Sequence, residues 1–541
     1  MTIASAAPLI RALLTQTECY GHPVGEVRLI ETHISWVLLA GDYAYKIKKP
    51  VDLGFLDFST LALRRQACDE EVRLNRRLAP AYYLGVVPIT GSPDAPHLGG
   101  IVSDPLIELL ANRLSQQAGK SLVIPNPLPQ AVEGANESLR KILVNEPFEY
   151  AVQMRRFPPE DTLDHLAQRG ELGVEQIDRL AARIARFHLH ECAVAPADMP
   201  WGEPDAIARP VAENFELLAE RLPDSALLKK LQDWSDAEHR RLTPSMSERK
   251  RAGFVRECHG DLHLGNLAWV DGELVIFDCI EFSPALRWID AISEVAFCYM
   301  DLLHRGQDEL AMRFLNAWLE ATGDYEGVAL LRYYAVYRAM VRAKVAALRA
   351  GQAGGEAEYI EVDACLRLAE RLAQSAQPQL WITHGLSGSG KTTQTQLLLQ
   401  QQGMIRLRSD VERKRLAGLN ALARGGAGEG LYSQQAGERT YRHLAHLAEK
   451  LLDAGWPVIA DAACLQRWQR DLFRDLAQRR GAIFRILDVQ AEPAVLRERI
   501  GSRVAQGADA SDADLRVLQH QLETAQPLTA DEMDGVVAVR G

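Results

Sequence analysis

The chain has 541 residues, of which 47% are hydrophobic and 25% are charged, and its formal net charge is -11. This length exceeds what one hydrophobic core supports, so we expect two or three domains. The acidic balance argues against a general nucleic-acid-binding protein or a membrane-surface protein.

The eight cysteines are scattered without a C-x-x-C pair, which favours reduced thiols over a disulfide framework or a zinc site. The first residues lack a basic segment followed by a long apolar run, which is the pattern of a signal peptide. No uncharged apolar stretch approaches about 18 residues, the length that a membrane-spanning helix needs. We therefore expect a cytoplasmic protein without a membrane partner.

The first 157 residues begin with a short β-sheet and a helix. Strands are predicted over 27–30, 36–40 and 43–47, and a helix over 58–78 with Ser59 as its N-cap. Residues 43–46 of the third strand resemble the V-A-I-K strand of kinases, and this resemblance implies that Lys46 binds phosphate. The acidic run 69–71 on the helix offers a carboxylate to hold this lysine. Because Lys48 and Lys49 follow at once, a solvated basic strand end is the alternative interpretation.

An acid, an amide and a second acid follow a pattern that suits phosphoryl transfer. Asp261 precedes Asn266 by five residues, and Asp278 ends a predicted strand over 274–277. Asp261 can accept or orient the proton of an attacking hydroxyl, while Asn266 and Asp278 can hold the magnesium ions that neutralise a triphosphate. The alternative is a chance turn rich in glycine, histidine and aspartate.

The stretch His259-Gly260-Asp261 with Asn266 resembles the catalytic loop H-G-D-x-x-x-x-N of aminoglycoside phosphotransferases and choline kinases. That resemblance implies a two-lobed, protein-kinase-like fold over 1–157 and 158–376. It also selects Glu71, not Glu70, as the carboxylate that holds Lys46.

The sequence departs from this family in two places. No glycine-rich loop separates the first two strands, which leaves Ser35 or the backbone as phosphate contacts. Residues at about 97–146 are predicted to form an insertion.

A basic helix over 330–350 offers Arg338 or Arg342 to an anionic acceptor; a solvated, salt-bridged helix face is the alternative.

A second nucleotide site is predicted near residue 385. An apolar strand over 380–383 runs into G-x-x-x-x-G-K-T and then a helix, which is the context of a P-loop. Glycines let backbone N–H groups face phosphate, Lys391 reaches the terminal phosphates, and the hydroxyl of Thr392 binds magnesium. The candidate nucleotide ligands are Gly385, Gly388, Ser389, Gly390, Lys391, Thr392 and Thr393.

Residues 378–541 resemble small P-loop kinases such as gluconate kinases, and also zeta-type toxins. The resemblance implies that Asp410 is the base for the acceptor hydroxyl and that Arg413 contacts substrate. Asp461 ends an apolar strand predicted over 458–461, the Walker B position, where it would bind magnesium through water or orient the acceptor. Small kinases place arginines in a lid, which implies that Arg499 and Arg503 act in catalysis. The alternatives are an N-capping role for Asp410 and an ordinary arginine-rich surface helix.

We therefore predict a mixed α/β and α+β multidomain protein, with a two-lobed phosphotransferase fold followed by a P-loop kinase domain with a parallel sheet. The chain resembles proteins described as bifunctional aminoglycoside phosphotransferase/ATP-binding proteins. This implies two sites that use ATP or GTP with Mg²⁺ and phosphorylate a hydroxyl of a small molecule. A nucleotide sensor in one domain, a polynucleotide 5′-hydroxyl kinase and a non-catalytic scaffold are the alternatives, and the oligomeric state stays open.

Overall fold

A computed structural model describes residues 7–54, 56–101, 146–353, 356–419, 433–506, 511 and 513–540. The chain divides into two compact units, of which the first comprises Met1–Leu166 and His259–Trp288 and the second Ala167–Cys258 and Ile289–Gly541. The predicted catalytic loop thus belongs to the unit that holds the first 166 residues. Most of the predicted insertion at 97–146 lies outside the described residues, and the predicted boundaries at 157 and 376 stay predictions.

The first unit is built on a six-stranded antiparallel sheet. In order across the sheet, its strands are Arg28–Glu31, Ser35–Ala40, Tyr43–Lys48, Glu149–Arg155, Tyr83–Ser92 and Ala95–Leu98. The three strands predicted at the start of the chain agree with the observed ones to within one residue. The turn between the second and third needs glycine, since Gly41 has a φ of +58° and a Cβ there would lie 2.8 Å from the Pro23 carbonyl oxygen.

Helices and a hairpin complete this unit. The helices are Pro8–Thr15, Leu61–Asn75 and the single turn Pro284–Arg287, and the hairpin strands are Leu267–Val270 and Glu273–Ile276. The helix Leu163–Arg169 begins in this unit, and its residues from Ala167 onward belong to the second. The prediction of Ser59 as N-cap is wrong, because the side chain of Thr60 accepts the hydrogen bond from the Leu63 N–H. Cys68 and Val72 of the Leu61–Asn75 helix pack in one cluster with Val152 of the sheet and Val275 of the hairpin.

The second unit contains a group of helices and a parallel sheet. The first helices are Val174–Arg186, Pro204–Arg221, Ala226–Arg251, Ala291–His304, Asp308–Thr322, Val328–Ala353 and Glu356–Ala373. A short strand occurs at Val255–Glu257, and another, Trp288–Asp290, starts at the last residue of the first unit. Among the described residues, no helix combines the length and the apolar character needed to span a bilayer.

The parallel sheet of the second unit has five strands with helices between them. The strands, in order across the sheet, are Ile405–Arg408, Val458–Asp461, Gln379–His384, Ile483–Gln490 and Val536–Arg540. The helices are Lys391–Gln402, Ser409–Leu416, Gln434–Asp453, Arg467–Arg479, Pro493–Gln506 and Leu515–Thr524. In such sheets ligands bind outside the carboxyl ends of the strands, which is where Gly385, Asp410 and Asp461 follow or end their strands.

Candidate active sites

In the first unit, Lys46 lies between two carboxylates. Its Nζ is 2.9 Å from Glu71 Oε1 and 2.5 Å from Asp278 Oδ1. Burial works to lower the pKa of Lys46, but Asp278 and Glu71 outweigh burial and hold that pKa well above its ordinary value. The structure therefore brings together three residues that are far apart in the sequence, and it fixes a charged ammonium group beside the predicted metal-binding acid.

Glu71 also contacts a second lysine. Its Oε2 lies 2.5 Å from Lys48 Nζ, and Lys48 makes a further ion pair with Glu281. Lys48 is fully buried, because alternate residues of a strand point to the same face and Lys46 already points there. Lys49, on the opposite face, pairs with Glu31 at 2.7 Å. The interpretation as a solvated basic strand end is therefore wrong for Lys46 and Lys48, which are buried, while Lys49 is partly exposed.

Sequence reasoning missed Lys48 and Glu281. The two-residue spacing from Lys46 was the available signal for Lys48, whereas nothing in the sequence marked Glu281. Burial raises the pKa of Glu281 above its usual range. The rejected candidate Glu70 contacts Arg73 and Arg287 instead.

The predicted catalytic loop is organised by hydrogen bonds inside the first unit. Asn266 Nδ2 donates to the backbone oxygen of Asp261 at 2.9 Å and to its Oδ2 at 3.0 Å. The amide nitrogen of Asn266 thus faces Asp261, and the amide oxygen is the atom suited to a metal. His263 Nε2 lies 3.4 Å from the same Oδ2 of Asp261.

His259 ties this loop to the hairpin. It is fully buried; its Nε2 lies 2.8 Å from the Phe277 carbonyl oxygen, and its Nδ1 accepts a hydrogen bond from the Asp261 N–H at 3.2 Å. Gly260 has a φ of +91°, and a Cβ there would lie 2.8 Å from the Leu286 oxygen. The histidine and the glycine of the motif therefore shape the loop that carries Asp261.

Asp278 adopts an uncommon backbone conformation. Its φ is +64°, a region that costs about 1–3 kcal/mol for a non-glycine residue and occurs often at functional sites. Its N–H donates to the Tyr83 hydroxyl at 3.0 Å. Burial works to raise the pKa of Asp278, but Lys46 outweighs burial and lowers it, so the carboxylate is ionised and suited to a cation.

Ser35 is not placed to bind phosphate. Its side chain is fully buried in a strand that pairs with the lysine strand. The turn before it is closed instead by Thr32, whose Oγ1 accepts from the Ser35 N–H at 2.9 Å.

In the second unit, the predicted P-loop has the backbone that phosphate binding needs. Gly385, Gly388 and Gly390 have φ values of +150°, +84° and +94°. A Cβ on Gly385 would lie 2.5 Å from the Val489 oxygen. The following helix begins at Lys391, so its N-terminus and the loop's N–H groups meet at one place.

Side chains of the P-loop meet the predicted Walker B acid. Thr392 Oγ1 donates to Asp461 Oδ2 at 2.9 Å, which leaves the lone pairs of this hydroxyl for a cation. Lys391 Nζ donates to the carbonyl oxygens of Gly385 and Leu386 at 3.0 and 2.8 Å. Ser389 is 1% exposed, while Thr393 is exposed.

Asp410 lies beside cations. Arg413 Nη1 donates to its Oδ1 at 2.9 Å. Burial works to raise the pKa of Asp410, but Arg413, a hydrogen bond from Ser511, and the charges of Arg408 and Lys391 outweigh burial and lower it. The N-capping interpretation is wrong, since Arg408 is the N-cap of the Ser409–Leu416 helix.

The two predicted lid arginines differ in what the structure describes. Arg499 is exposed, and its Nη1 lies 3.5 Å from the Gly388 oxygen, next to the P-loop. The side chain of Arg503 lies outside the described residues.

The basic helix of the second unit does not present Arg338 to solvent. Arg338 is 3% exposed, and its guanidinium lies 4.8 Å from the Phe297 ring centroid and 5.1 Å from that of Tyr337. Arg342 Nη2 lies 3.8 Å from Asp301 Oδ1. The solvated-face interpretation is therefore wrong for Arg338, and an acceptor contact stays a prediction.

Comparison with known proteins finds two families and several relatives. Uncharacterized proteins of Mycobacterium tuberculosis and Mycobacterium bovis are each 28% identical over 526 residues, covering 94% of this chain and 95% of theirs. A choline/ethanolamine kinase family protein from Mesorhizobium loti has a TM-score of 0.36 at 11% identity, covering 68% of this chain and 94% of that one. A putative kinase from Chloroflexus aurantiacus has a TM-score of 0.26 at 24% identity, covering 30% and 88%.

Two family models match separate segments. Residues 109–331 match the model described as "Phosphotransferase enzyme family", and residues 380–528 match the model described as "AAA domain". The first match includes the Asp261, Asn266 and Asp278 constellation, and the second includes the P-loop and Asp461. The two matches are those of a fusion between a phosphotransferase-family domain and a P-loop kinase-like domain.

Proposed function

We propose that this chain is a bifunctional, magnesium-dependent kinase with two sites, one around Lys46, Asp261 and Asp278 in the first unit and one around the P-loop in the second. Each site transfers the γ-phosphoryl group of ATP or GTP to a hydroxyl of a small molecule. One observation carries the proposal: Lys46 Nζ is held at 2.9 and 2.5 Å between Glu71 and Asp278, in the same unit as the Asp261–Asn266 pair. This is the charge arrangement that a nucleoside triphosphate with magnesium requires.

In the first site, Asp261 orients the acceptor hydroxyl and takes its proton. The new O–P bond forms as the bond between the γ-phosphorus and the β–γ bridging oxygen breaks, and the nucleoside diphosphate leaves. Lys46 binds the phosphates of the nucleotide, and Glu71 keeps its ammonium in place. Asn266, through its amide oxygen, and the ionised Asp278 are the residues that hold magnesium.

In the second site, the P-loop amides and Lys391 bind the phosphates. Asp410, ionised beside Arg413, takes the proton of the acceptor hydroxyl, and Arg413 holds the substrate. Arg499 lies next to the loop at Gly388 and stabilises the transferred phosphoryl group; we assign the same role to Arg503. Thr392 and Asp461 hold magnesium, since their 2.9 Å contact joins a hydroxyl and a carboxylate, which are ligands that this ion accepts. Magnesium supplies neutralisation of phosphate charge at both sites.

The test is to incubate the whole protein with magnesium, ATP or GTP and a cytosolic metabolite extract, and to search for new phosphorylated masses. The variants are Asp261→Asn, Lys391→Ala and their combination. Asp271→Asn is the matched control for the first site, since this hairpin-turn aspartate is exposed. Lys450→Ala, a half-exposed lysine of the same unit, is the control for the second.

We expect one product to disappear in Asp261→Asn and another in Lys391→Ala, with losses of about 10²–10³ in rate. The controls should match the wild type. A doubly phosphorylated species that needs both sites would indicate sequential action on one metabolite. If all products survive the combined variant, the proposed sites are wrong; if all depend on one site alone, the other site is not a kinase and the bifunctional proposal fails.

A further inference from the structure

The edge strand of the parallel sheet, Ile405–Arg408, contacts a helix that lies outside the AAA-domain match. That helix is Asp308–Thr322, and it falls within the phosphotransferase-family match at 109–331. Asn316 of the helix pairs with the strand's backbone: its Nδ2 donates to the Met404 oxygen at 3.0 Å, and its Oδ1 accepts from the Arg406 N–H at 2.7 Å. Because these bonds are buried, they fix the helix in register with the strand.

One helical turn after Asn316, Glu320 contacts two arginines of the same strand. Its Oε1 lies 2.7 Å from Arg408 Nη1, and its Oε2 lies 3.3 Å from Arg406 Nη2. The backbone oxygen of Glu320 also accepts from Arg415 Nη2 at 2.5 Å. The Glu320 carboxylate thus pairs with both arginines of this strand.

Both arginines reach the residues assigned to magnesium. Arg408 is paired in register with Asp461 across the sheet, and its Nε lies 3.9 Å from Asp461 Oδ2. The same Oδ2 accepts the hydrogen bond from Thr392. Arg406 Nη1 lies 3.3 Å from the Thr392 backbone oxygen and 3.4 Å from Thr395 Oγ1.

We propose that Glu320 is a positioning residue of the P-loop magnesium site. By binding Nη1 of the Arg408 guanidinium, Glu320 keeps this cation from forming a closer ion pair with Asp461. Without the Glu320 carboxylate, Arg408 moves onto Asp461 and competes with the divalent cation for its oxygens. The site of the AAA-domain segment is thereby completed by a residue of the phosphotransferase-family segment. This inference rests on the proposed second kinase site.

The experiment measures binding of ATP to the whole protein by calorimetry over a series of Mg²⁺ concentrations. The part of the binding that Lys391→Ala removes belongs to the P-loop. Glu320→Gln is the test variant, because it keeps the size of the side chain and removes its charge. Glu309→Gln on the same helix is the matched control, since Glu309 is exposed.

We expect Glu320→Gln to raise the Mg²⁺ concentration for half-maximal, Lys391-dependent binding by about tenfold, the scale of losing a residue that orients a metal ligand. ATP affinity at saturating Mg²⁺ should stay near that of the wild type. Removing the competing guanidinium as well, in Glu320→Gln/Arg408→Gln, should restore part of the Mg²⁺ affinity. A purely structural role for Glu320 would not produce this rescue.

The outcomes separate the two proposals. If the wild type shows no Lys391-dependent binding, the second kinase site itself is wrong. If it does, and Glu320→Gln behaves like Glu309→Gln, the inference about Glu320 is overturned while the site stands. If Glu320→Gln unfolds, Glu320→Asp, which keeps the charge on a shorter side chain, takes its place. The inference is then overturned if Glu320→Asp and Glu320→Asp/Arg408→Gln show the same dependence of ATP binding on Mg²⁺ concentration.

Discussion

The three lysines at the end of one strand have separate roles that follow from which face each occupies. Lys46 and Lys48 point to the interior of the first unit and share Glu71. Lys49 points the other way, where it pairs with Glu31 and lies 5.4 Å from the Trp36 ring centroid. Only Lys46 also contacts Asp278, so the chemistry we assign to this strand belongs to one of its three cations.

Substituting Lys46 should therefore slow transfer at the first site strongly, with little effect on the second. Lys46→Met removes the ammonium group that we assign to the nucleotide phosphates, and loss of one such group lowers the rate by about 10²–10³. Lys49→Met is the control, because Lys49 contacts Glu31, the Thr32 carbonyl oxygen and the Trp36 ring on the opposite face of the strand. Initial rates for the Asp261-dependent product measure the effect.

A rate for Lys46→Met equal to that for Lys49→Met would remove Lys46 from the site. A fall in both the Asp261-dependent and the Lys391-dependent products would instead indicate a loss of folding. Melting temperatures of the two variants distinguish these cases. A folding defect lowers the melting temperature together with both activities, whereas loss of a phosphate ligand lowers only the first activity.

At the scale of secondary structure, the last strand is attached by a buried ion pair. Arg470 of the Arg467–Arg479 helix places its Nε 2.7 Å from Glu532 Oε1, and each side chain is 1% exposed. Glu532 lies in the 3-10 turn just before the edge strand Val536–Arg540. Arg470 also donates to backbone oxygens of Gln526 and Pro527, so it anchors the segment that leads to this strand.

The Arg470–Glu532 ion pair should make the free energy of unfolding depend on pH in acidic solution. Burial works to raise the pKa of Glu532, but hydrogen bonds from Arg470 and Thr529 lower it from 4.5 to about 2. A lowered folded-state pKa stabilises the fold above pH 4.5, and this stabilisation is lost as the pH falls towards 2. Glu532→Gln, which leaves a buried Arg470 without its counter-charge, should cost about 3–5 kcal/mol at pH 7.

The difference in unfolding free energy between wild type and Glu532→Gln, from urea titrations, should be largest at neutral pH and shrink below pH 4.5. Asp534→Asn in the same turn is the control, because Asp534 is exposed. A gap that stays constant down to pH 2.5 would contradict the ionised state of Glu532.

Local sequence patterns predicted most of the helices and strands, but they could not predict side-chain contacts between residues that are far apart in the sequence. Local sequence patterns located the first three strands to within one residue, and the glycine-rich motif predicted a helix directly after the P-loop, where the Lys391–Gln402 helix lies. The motif spacing likewise brought Asp261 and Asn266 together. Glu281 and Glu320 carry no motif, and only the folded chain shows that they meet Lys48 and Arg408.

At the scale of the whole molecule, the sequence suggested three consecutive segments, whereas the compact units are discontinuous. Residues 259–288 pack with the first 166 residues, because the hairpin strand residue Val275 shares a cluster with Cys68 and Val152. The helices around Asp308–Thr322 and the parallel sheet lie in one compact unit. The predicted limits of these segments, at 376 and 378, carry no information on which helices pack against the parallel sheet.

The second unit should consequently lose stability as a whole when its sheet edge is released. Asn316→Ala leaves the Met404 oxygen and the Arg406 N–H buried without this partner, at about 1–3 kcal/mol for each group. Arg313→Ala on the same helix breaks only an ion pair with the half-exposed Asp178, worth about 0–1 kcal/mol. Hydrogen exchange followed by mass spectrometry should show faster exchange in Asn316→Ala for both the Asp308–Thr322 helix and the strands of the parallel sheet. If exchange increases in the helix and leaves the sheet unchanged, the two fold independently, and the P-loop site does not depend on the segment that carries Glu320.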